Sequence, residues 1–208
     1  MRLDNGDWKS ESVHMNGVTV DIGFIVKDSF YYGPENGFTC EQWSTLQEEL
    51  YQPDLHKSGS FVLSADITGK EEELFAYYKD LKAKVLARGK SLGNSSEFWN
   101  RPVIYAPDSF DLSFCWHDRF REGKSLLRAL LADDDGEVFS DIDQGWQLDI
   151  YRHDGMLYAL QGDPDTGTVH YNVKFEHAPI KDQAAQLLPR IEKLIADLTA
   201  QLGTDYWT

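Results

Sequence analysis

The chain has 208 residues, 41% of them hydrophobic and 13% aromatic, with a formal net charge of −15. That is enough apolar material to build a core, so a disordered chain is excluded despite the charge. The negative balance argues against nucleic acid or an anionic membrane as a partner.

Only Cys40 and Cys115 are present. Without a Cys-x-x-Cys pair they exclude a zinc ribbon or redox motif, and in a chain this long they read as two buried thiols rather than one bridge. The start, Met1 to Trp8, has no apolar run and does not read as a signal peptide. No apolar stretch reaches the roughly 18 residues a membrane span requires. A cytoplasmic location is the expectation.

Taken in chain order, Asn16-Gly17 separates a short polar flank, Ser12 to Met15, from an alternating run of Val18, Val20, Ile22, Phe24 and Val26. Asn-Gly suits a type I′ turn, so the pattern predicts an N-terminal hairpin. After the loop Tyr31-Tyr32-Gly33-Pro34, Thr39 and Gln42 match a capping box. Trp43, Leu46 and Leu50 fall on one face of the helix expected behind it, with Pro53 as its stop. Phe61, Leu63 and Ala65 alternate as a strand. Glu71, Glu72 and Glu73 open a helix with inward Leu74, Tyr78, Leu81 and Val85, ending at Gly93. Residues 93–101 read as a polar connector.

Phe110, Leu112, Phe114 and Trp116 predict a half-buried strand, and a helix is expected from Asp118 to Leu131. An acidic loop follows. Three strands then form a meander, Gly145–Arg152, Met156–Gln161 and Thr168–Glu176, turned at Asp154-Gly155 and at Asp163-Pro164-Asp165-Thr166-Gly167. The last helix carries Ala184, Leu188, Ile191, Leu194, Ile195, Leu198 and Leu202, with Pro189 either kinking it or marking its start. Ser60–Gly93 and His170–Gly203 share a strand–helix grammar, which two similar halves or coincidence would explain. The expected fold is α+β: antiparallel sheets with an N-terminal hairpin and a three-stranded C-terminal meander, packed by about four helices. It reads as a single domain over 1–208, with sub-lobes 1–93 and 102–208.

Between Asp133 and Asp165 stand ten acidic residues, Asp133, Asp134, Asp135, Glu137, Asp141, Asp143, Asp149, Asp154, Asp163 and Asp165, against one basic residue, Arg152. The window therefore carries −9 of the −15. Trp146, Tyr151 and Tyr158 lie within it, and aromatics beside charge of one sign suit a protein-docking face. Among the large aromatics, Trp43, Trp116 and Trp146 sit on apolar faces and read as core by default, whereas Trp8, Tyr206 and Trp207 lie near the ends, where burial is less assured.

Catalytic and ligand motifs are missing. Placing Gly136 at the glycine of a calcium-binding EF-hand loop puts Leu131 and Ile142 at ligand positions, and Asp163–Gly167 reads as turn chemistry. There is no Gly-x-Ser-x-Gly, no phosphate-binding glycine loop, and no metal spacing among His14, His56, His117, His153, His170 and His177. Cys115 and His117, two apart on a strand, make a poor nucleophile–base pair. No metal or cofactor is expected.

An acidic, aromatic-rich α+β chain without a catalytic motif resembles bacterial toxin-immunity proteins, which bind a toxin's catalytic domain and block it. Tyr31-Tyr32-Gly33-Pro34, followed by the helix from Thr39, is similar to the tyrosine-tryptophan-glycine-proline start of the immunity protein 52 family, with tyrosine in place of the tryptophan and a longer gap before the helix. The resemblance implies a basic partner, a toxin domain; since no leader is read at the start, that toxin is expected to act in the cytosol, on nucleic acid or a nucleotide. On this reading Asp133, Asp134, Asp135, Glu137, Asp141, Asp143, Asp163 and Asp165 face the partner's cations, and Trp146, Tyr151 and Tyr158 supply buried anchors. The alternatives are a small-molecule hydrolase or other enzyme using a carboxylate pair such as Asp141 and Asp143, with Asp149 or Asp163 lining a cleft, and a dimeric scaffold.

Overall fold

The structure, a computed structural model, describes residues 7–34, 36–37, 39–93, 95–114 and 119–208. The readings placed on Met1 to Gly6 and on Cys115, Trp116, His117 and Asp118 lie outside these residues. In chain order the elements are β1 (Val13–His14), β2 (Thr19–Ile25), β3 (Ser29–Tyr31), α1 (Cys40–Thr45), β4 (Gln47–Glu49), β5 (Phe61–Leu63), α2 (Ser64–Ile67), α3 (Glu71–Ala87), β6 (Asn100–Ala106), β7 (Phe110–Ser113), α4 (Phe120–Leu131), β8 (Gly136–Asp143), β9 (Trp146–His153), β10 (Met156–Asp163), β11 (Thr168–Glu176) and α5 (His177–Leu202). The fold is α+β, with antiparallel pairing except where β1 joins its sheet.

Two compact units divide the chain. Unit 1 takes the described residues of Met1–Ile22, Arg101–His117 and Arg121–Arg190; unit 2 takes those of Gly23–Asn100, Asp118–Phe120 and Ile191–Thr208.

Unit 1 is built on a five-stranded sheet in the order β1-β11-β10-β9-β8. Its register sets Leu148, Ile150, Leu157, Ala159, Val173 and Phe175 on one face, all buried. Phe110 of β7 stands 6.2 Å from Phe175, and Phe114 stands 5.1 Å from Phe139, so the β7 segment covers that face. His177, at the start of α5, donates from Nε2 to the Leu130 carbonyl at 2.7 Å and ties α4 to α5.

The predicted meander is present and gains a fourth strand. The expected acidic loop is β8, because charged side chains are tolerated on an edge strand and a bulge between Glu137 and Phe139 breaks the alternation that would have revealed it. The predicted N-terminal hairpin does not form. Gly17 takes φ 66°, but Asn16 is not among the residues with positive φ, so no type I′ turn closes. Instead β1 pairs in parallel with β11, Val13 opposite Val173. The last helix begins at His177, and Pro189 lies inside it rather than at its start.

Unit 2 packs α3 over the pairing of Gly23–Ile25 with β5. Leu74, Phe75, Tyr77, Tyr78, Leu81 and Val85 of α3 are buried, the predicted face with Phe75 and Tyr77 added. The helix ends at Ala87, earlier than Gly93, where Gly89 takes φ 69°. The capping box is as predicted: Gln42 N–H donates to Thr39 Oγ1 at 3.1 Å and Thr39 N–H to Gln42 Oε1 at 2.9 Å. The helix behind it stops at Thr45, however, because Gln47–Glu49 pair with Ser29–Tyr31. Trp43 is consequently 50% exposed rather than core, and Cys40 is an exposed thiol rather than a buried one. The strand of Phe61 ends before Ala65, which lies in α2, and β6 begins inside the expected connector. At the C-terminus Trp207 is fully buried, with ring centroids 5.0 Å from Tyr78 and 5.3 Å from Phe98.

Candidate functional site: the acidic edge of the five-stranded sheet

The acidic residues gather along β8 and at both ends of the β8–β9 hairpin, all in unit 1. The pairing sets Asp141 opposite Leu148 and Asp143 opposite Trp146, while Glu137 stands opposite Tyr151. Side chains alternate across a strand, so Asp141 and Asp143 share one side of the sheet. The bulge puts Glu137 on the other side, where it accepts a hydrogen bond from the Tyr151 hydroxyl at 3.2 Å. Glu137 is exposed; Asp141 and Asp143 are half-buried.

One end of the hairpin holds Asp133, Asp134, Asp135 and Asp154. Lys181 of α5 pairs with Asp133, and this contact holds the carboxyl below the usual aspartate range. Asp135 accepts from His153 Nδ1 at 2.9 Å, and Asp154 lies 3.4 Å from His153 Nε2. Asp154 and Gly155 take φ 49° and 73°, the tight turn predicted between β9 and β10. Arg152, the lone cation of the window, is buried and donates to the backbone carbonyls of Asp134 and Ala129. Its charge holds the loop in place rather than neutralising the surface.

At the other end, Asp163 accepts from the backbone N–H groups of Asp165 at 2.8 Å and Thr166 at 3.3 Å, which lowers its pKa. Asp165 in turn accepts from Gly145 N–H at 3.1 Å and joins this loop to the β8–β9 turn. The Asx-turn reading of Asp163–Gly167 accounts for these bonds.

The three aromatics are placed differently from one another. Trp146 is 8% exposed and faces inward. Tyr151 and Tyr158 are cross-strand partners and half-buried. Trp8 packs edge-on to Tyr151 at 6.2 Å, and Lys9 Nζ sits 4.3 Å above the Tyr151 ring. The Trp8–Glu11 turn is held there by Asn172, whose Nδ2 donates to the Trp8 carbonyl at 3.0 Å. Lys174 Nζ lies 6.0 Å from the Tyr158 ring.

Asp149 belongs to the acidic window in sequence only. It is fully buried and accepts from Ser140 Oγ at 2.6 Å and from Gln147. Sequence reasoning placed Asp154 in the acidic window and in a turn but left it out of the partner-facing set, although its side chain is 84% exposed. The donor atoms of Asp135, His153 and Asp154 lie within 4.8 Å of one another, near enough to share a cation; ring-to-carboxylate contacts account for the grouping. The i, i+18 and i, i+19 separations carry no motif, since only the strand register brings the two loops together.

Chemically, the arrangement is an anionic border along one edge of the sheet, exposed at Asp133, Asp134, Asp135, Glu137 and Asp154 and half-buried at Asp141 and Asp143. Among the described residues, no helix is long and apolar enough to cross a membrane. A scan against protein-family models, a search of curated proteins and a search of solved structures each find no match to the chain.

Proposed function

We propose that this chain is a binding protein that neutralises a basic toxin domain by laying the acidic edge of the unit 1 sheet, β8 and the loop before it, across that domain's active site. The observation that carries the reading is the disposition of Asp134, Asp135, Glu137, Asp141, Asp143 and Asp154 around one hairpin, with the window's sole arginine turned inward onto carbonyls. Fixed like charges on a stiff scaffold build a field that steers a cationic partner into contact. Tyr151 and Tyr158, already half-buried side by side, supply apolar area next to that border. The toxin class follows the resemblance given above, and action in the cytosol is part of the same proposal.

The test is association with the product of the adjacent gene, followed by stopped flow across a salt series. Reversing Asp134, Asp135, Asp141 and Asp143 to lysine slows capture about tenfold or more at low salt and flattens the salt dependence. An association rate that ignores both salt and the four reversals overturns the reading. Circular dichroism of the variant checks that the sheet is retained.

A further inference from the structure

Three side chains that can carry positive charge stand at the end of the border that holds Asp133, Asp134, Asp135 and Asp154. Lys181 is paired with Asp133, and Arg152 is turned onto the carbonyls of Asp134 and Ala129. The third is His153, the last residue of β9, whose ring is exposed. Ammonium and guanidinium groups keep their charge near neutral pH, whereas imidazole is the side chain whose charge changes there.

The ring stands between carboxylates from two different loops. Its Nδ1 lies 2.9 Å from Asp135 Oδ2, and its Nε2 lies 3.4 Å from Asp154 Oδ2. A neutral imidazole has one N–H and can donate to one of the two; the other nitrogen then turns a lone pair towards an anionic oxygen. Only the imidazolium donates from both nitrogens. The charges farther out offset one another. Along the same side of the sheet stand Glu137 opposite Tyr151, and Glu176 in the row His153, Met156, Glu176. Against them stand Lys9 over the Tyr151 ring and Lys174 near the Tyr158 ring. Towards α5, Lys181 and Asp133 cancel, and His177 is engaged with the Leu130 carbonyl. Asp135 and Asp154 therefore set the sign of the ring's surroundings.

We propose that His153 is a pH-operated counter-charge inside the acidic border. Its protonated ring holds Asp135 and Asp154 and weakens the border's grip on a cationic partner; loss of the proton frees both carboxylates for that partner. This rests on the acidic-border reading above and names how the border is regulated. The sign follows directly. As pH rises through the histidine range the border becomes more negative by one charge, so capture of a basic protein strengthens. Linkage requires the converse, that an occupied border favours the neutral ring.

The experiment uses the full chain and an acetylated, amidated peptide of about eight arginines, whose charge is constant between about pH 5.5 and about pH 8. Affinity is read by fluorescence anisotropy at low salt across that range, for the unsubstituted chain and for His153→Asn. Asparagine keeps a donor but cannot change charge. The dissociation constant of the unsubstituted chain should fall about two- to fivefold from the acid to the alkaline end, the factor one exposed charge contact supplies, and that of the variant by less. Every other histidine is unchanged in the variant, so the difference between the two proteins belongs to His153. Ring-carbon NMR gives the second readout: the peptide should move the midpoint of the His153 titration to lower pH. Equal pH dependence in the two proteins, or a His153 midpoint that the peptide leaves unmoved, overturns the switch, while salt-sensitive binding of the peptide leaves the border standing. If the peptide does not bind at low salt at any pH, both readings fall.

Discussion

Lys181 Nζ donates to both carboxylate oxygens of Asp133, at 2.5 and 2.6 Å, and so draws one carboxylate out of the acidic set. The pair lowers the Asp133 pKa in the folded state. A depressed carboxyl pKa contributes stability that is present above the unfolded value and lost as pH falls through the folded one. Lys181→Met should return Asp133 to titrating in the ordinary aspartate range, followed by carboxyl-carbon NMR. The same variant should associate faster with a basic partner at low salt, since it exposes one more negative charge. A titration curve for Asp133 that is the same in both proteins would count against the pairing.

Trp207 gives the sharpest contrast in unit 2. It is fully buried against Tyr78 and Phe98, and its carbonyl accepts from Phe120 N–H at 2.7 Å. Trp207→Ala should cost roughly 3–5 kcal/mol, the range for emptying a buried aromatic site. Trp43→Ala, at a half-exposed ring that packs 4.6 Å from Tyr31, should cost much less. Urea unfolding of the two variants checks the order, which reverses the sequence expectation of a core Trp43 and a less assured Trp207.

Burial raises the pKa of Tyr77 and of Tyr78 above the tyrosine range; the Tyr77 hydroxyl meets Lys27 N–H at 2.9 Å, and the Tyr78 hydroxyl donates to the Ile25 carbonyl at 3.0 Å. Both groups therefore keep their protons in the folded chain at pH values where an unfolded tyrosine ionises, about 10. Their contribution to stability is full below that pH and is lost as pH rises past it. Alkaline titration should show two tyrosines whose phenolate absorbance appears only as the fold is lost. Tyr77→Phe should remove one of them and soften the alkaline decline.

What was legible in the sequence followed local chemistry. The Asp154-Gly155 turn, the Asx turn at Asp163, the Thr39–Gln42 capping box and the buried stripe of α3 each depend on residues within a few positions of one another. What was missed depends on distant partners. β1 pairs with a strand about 160 residues later, so Asn16-Gly17 looked like a hairpin while its flank went elsewhere. Leu46 and Leu50 kept a helical spacing with Trp43, yet pairing of β4 with β3 ended the helix. β8 was hidden because its charges read as loop and its bulge shifted the period by one. The composition of the acidic border was plain from the start; that it follows a sheet edge was not, because register is a property of two strands and not of one.

Arg152 is the residue on which the border's shape depends. Its guanidinium, 6% exposed with its residue, donates to the carbonyls of Asp134 and Ala129, bridging β9 to the end of α4 and to the loop that carries Asp133–Asp135. Arg152→Met keeps much of the apolar stem but leaves those carbonyls without their donor in a buried setting. Such a loss costs about 1–3 kcal/mol. The consequence should be local as well as global: amides from Asp134 to Val138 should exchange faster, while Leu148 and Ile150 in the middle of β9 stay protected. Capture of a basic partner should weaken even though the net charge becomes more negative by one. If charge alone governed association, the same substitution would speed it up, so the sign of the change in rate separates a positioned border from a diffuse negative field.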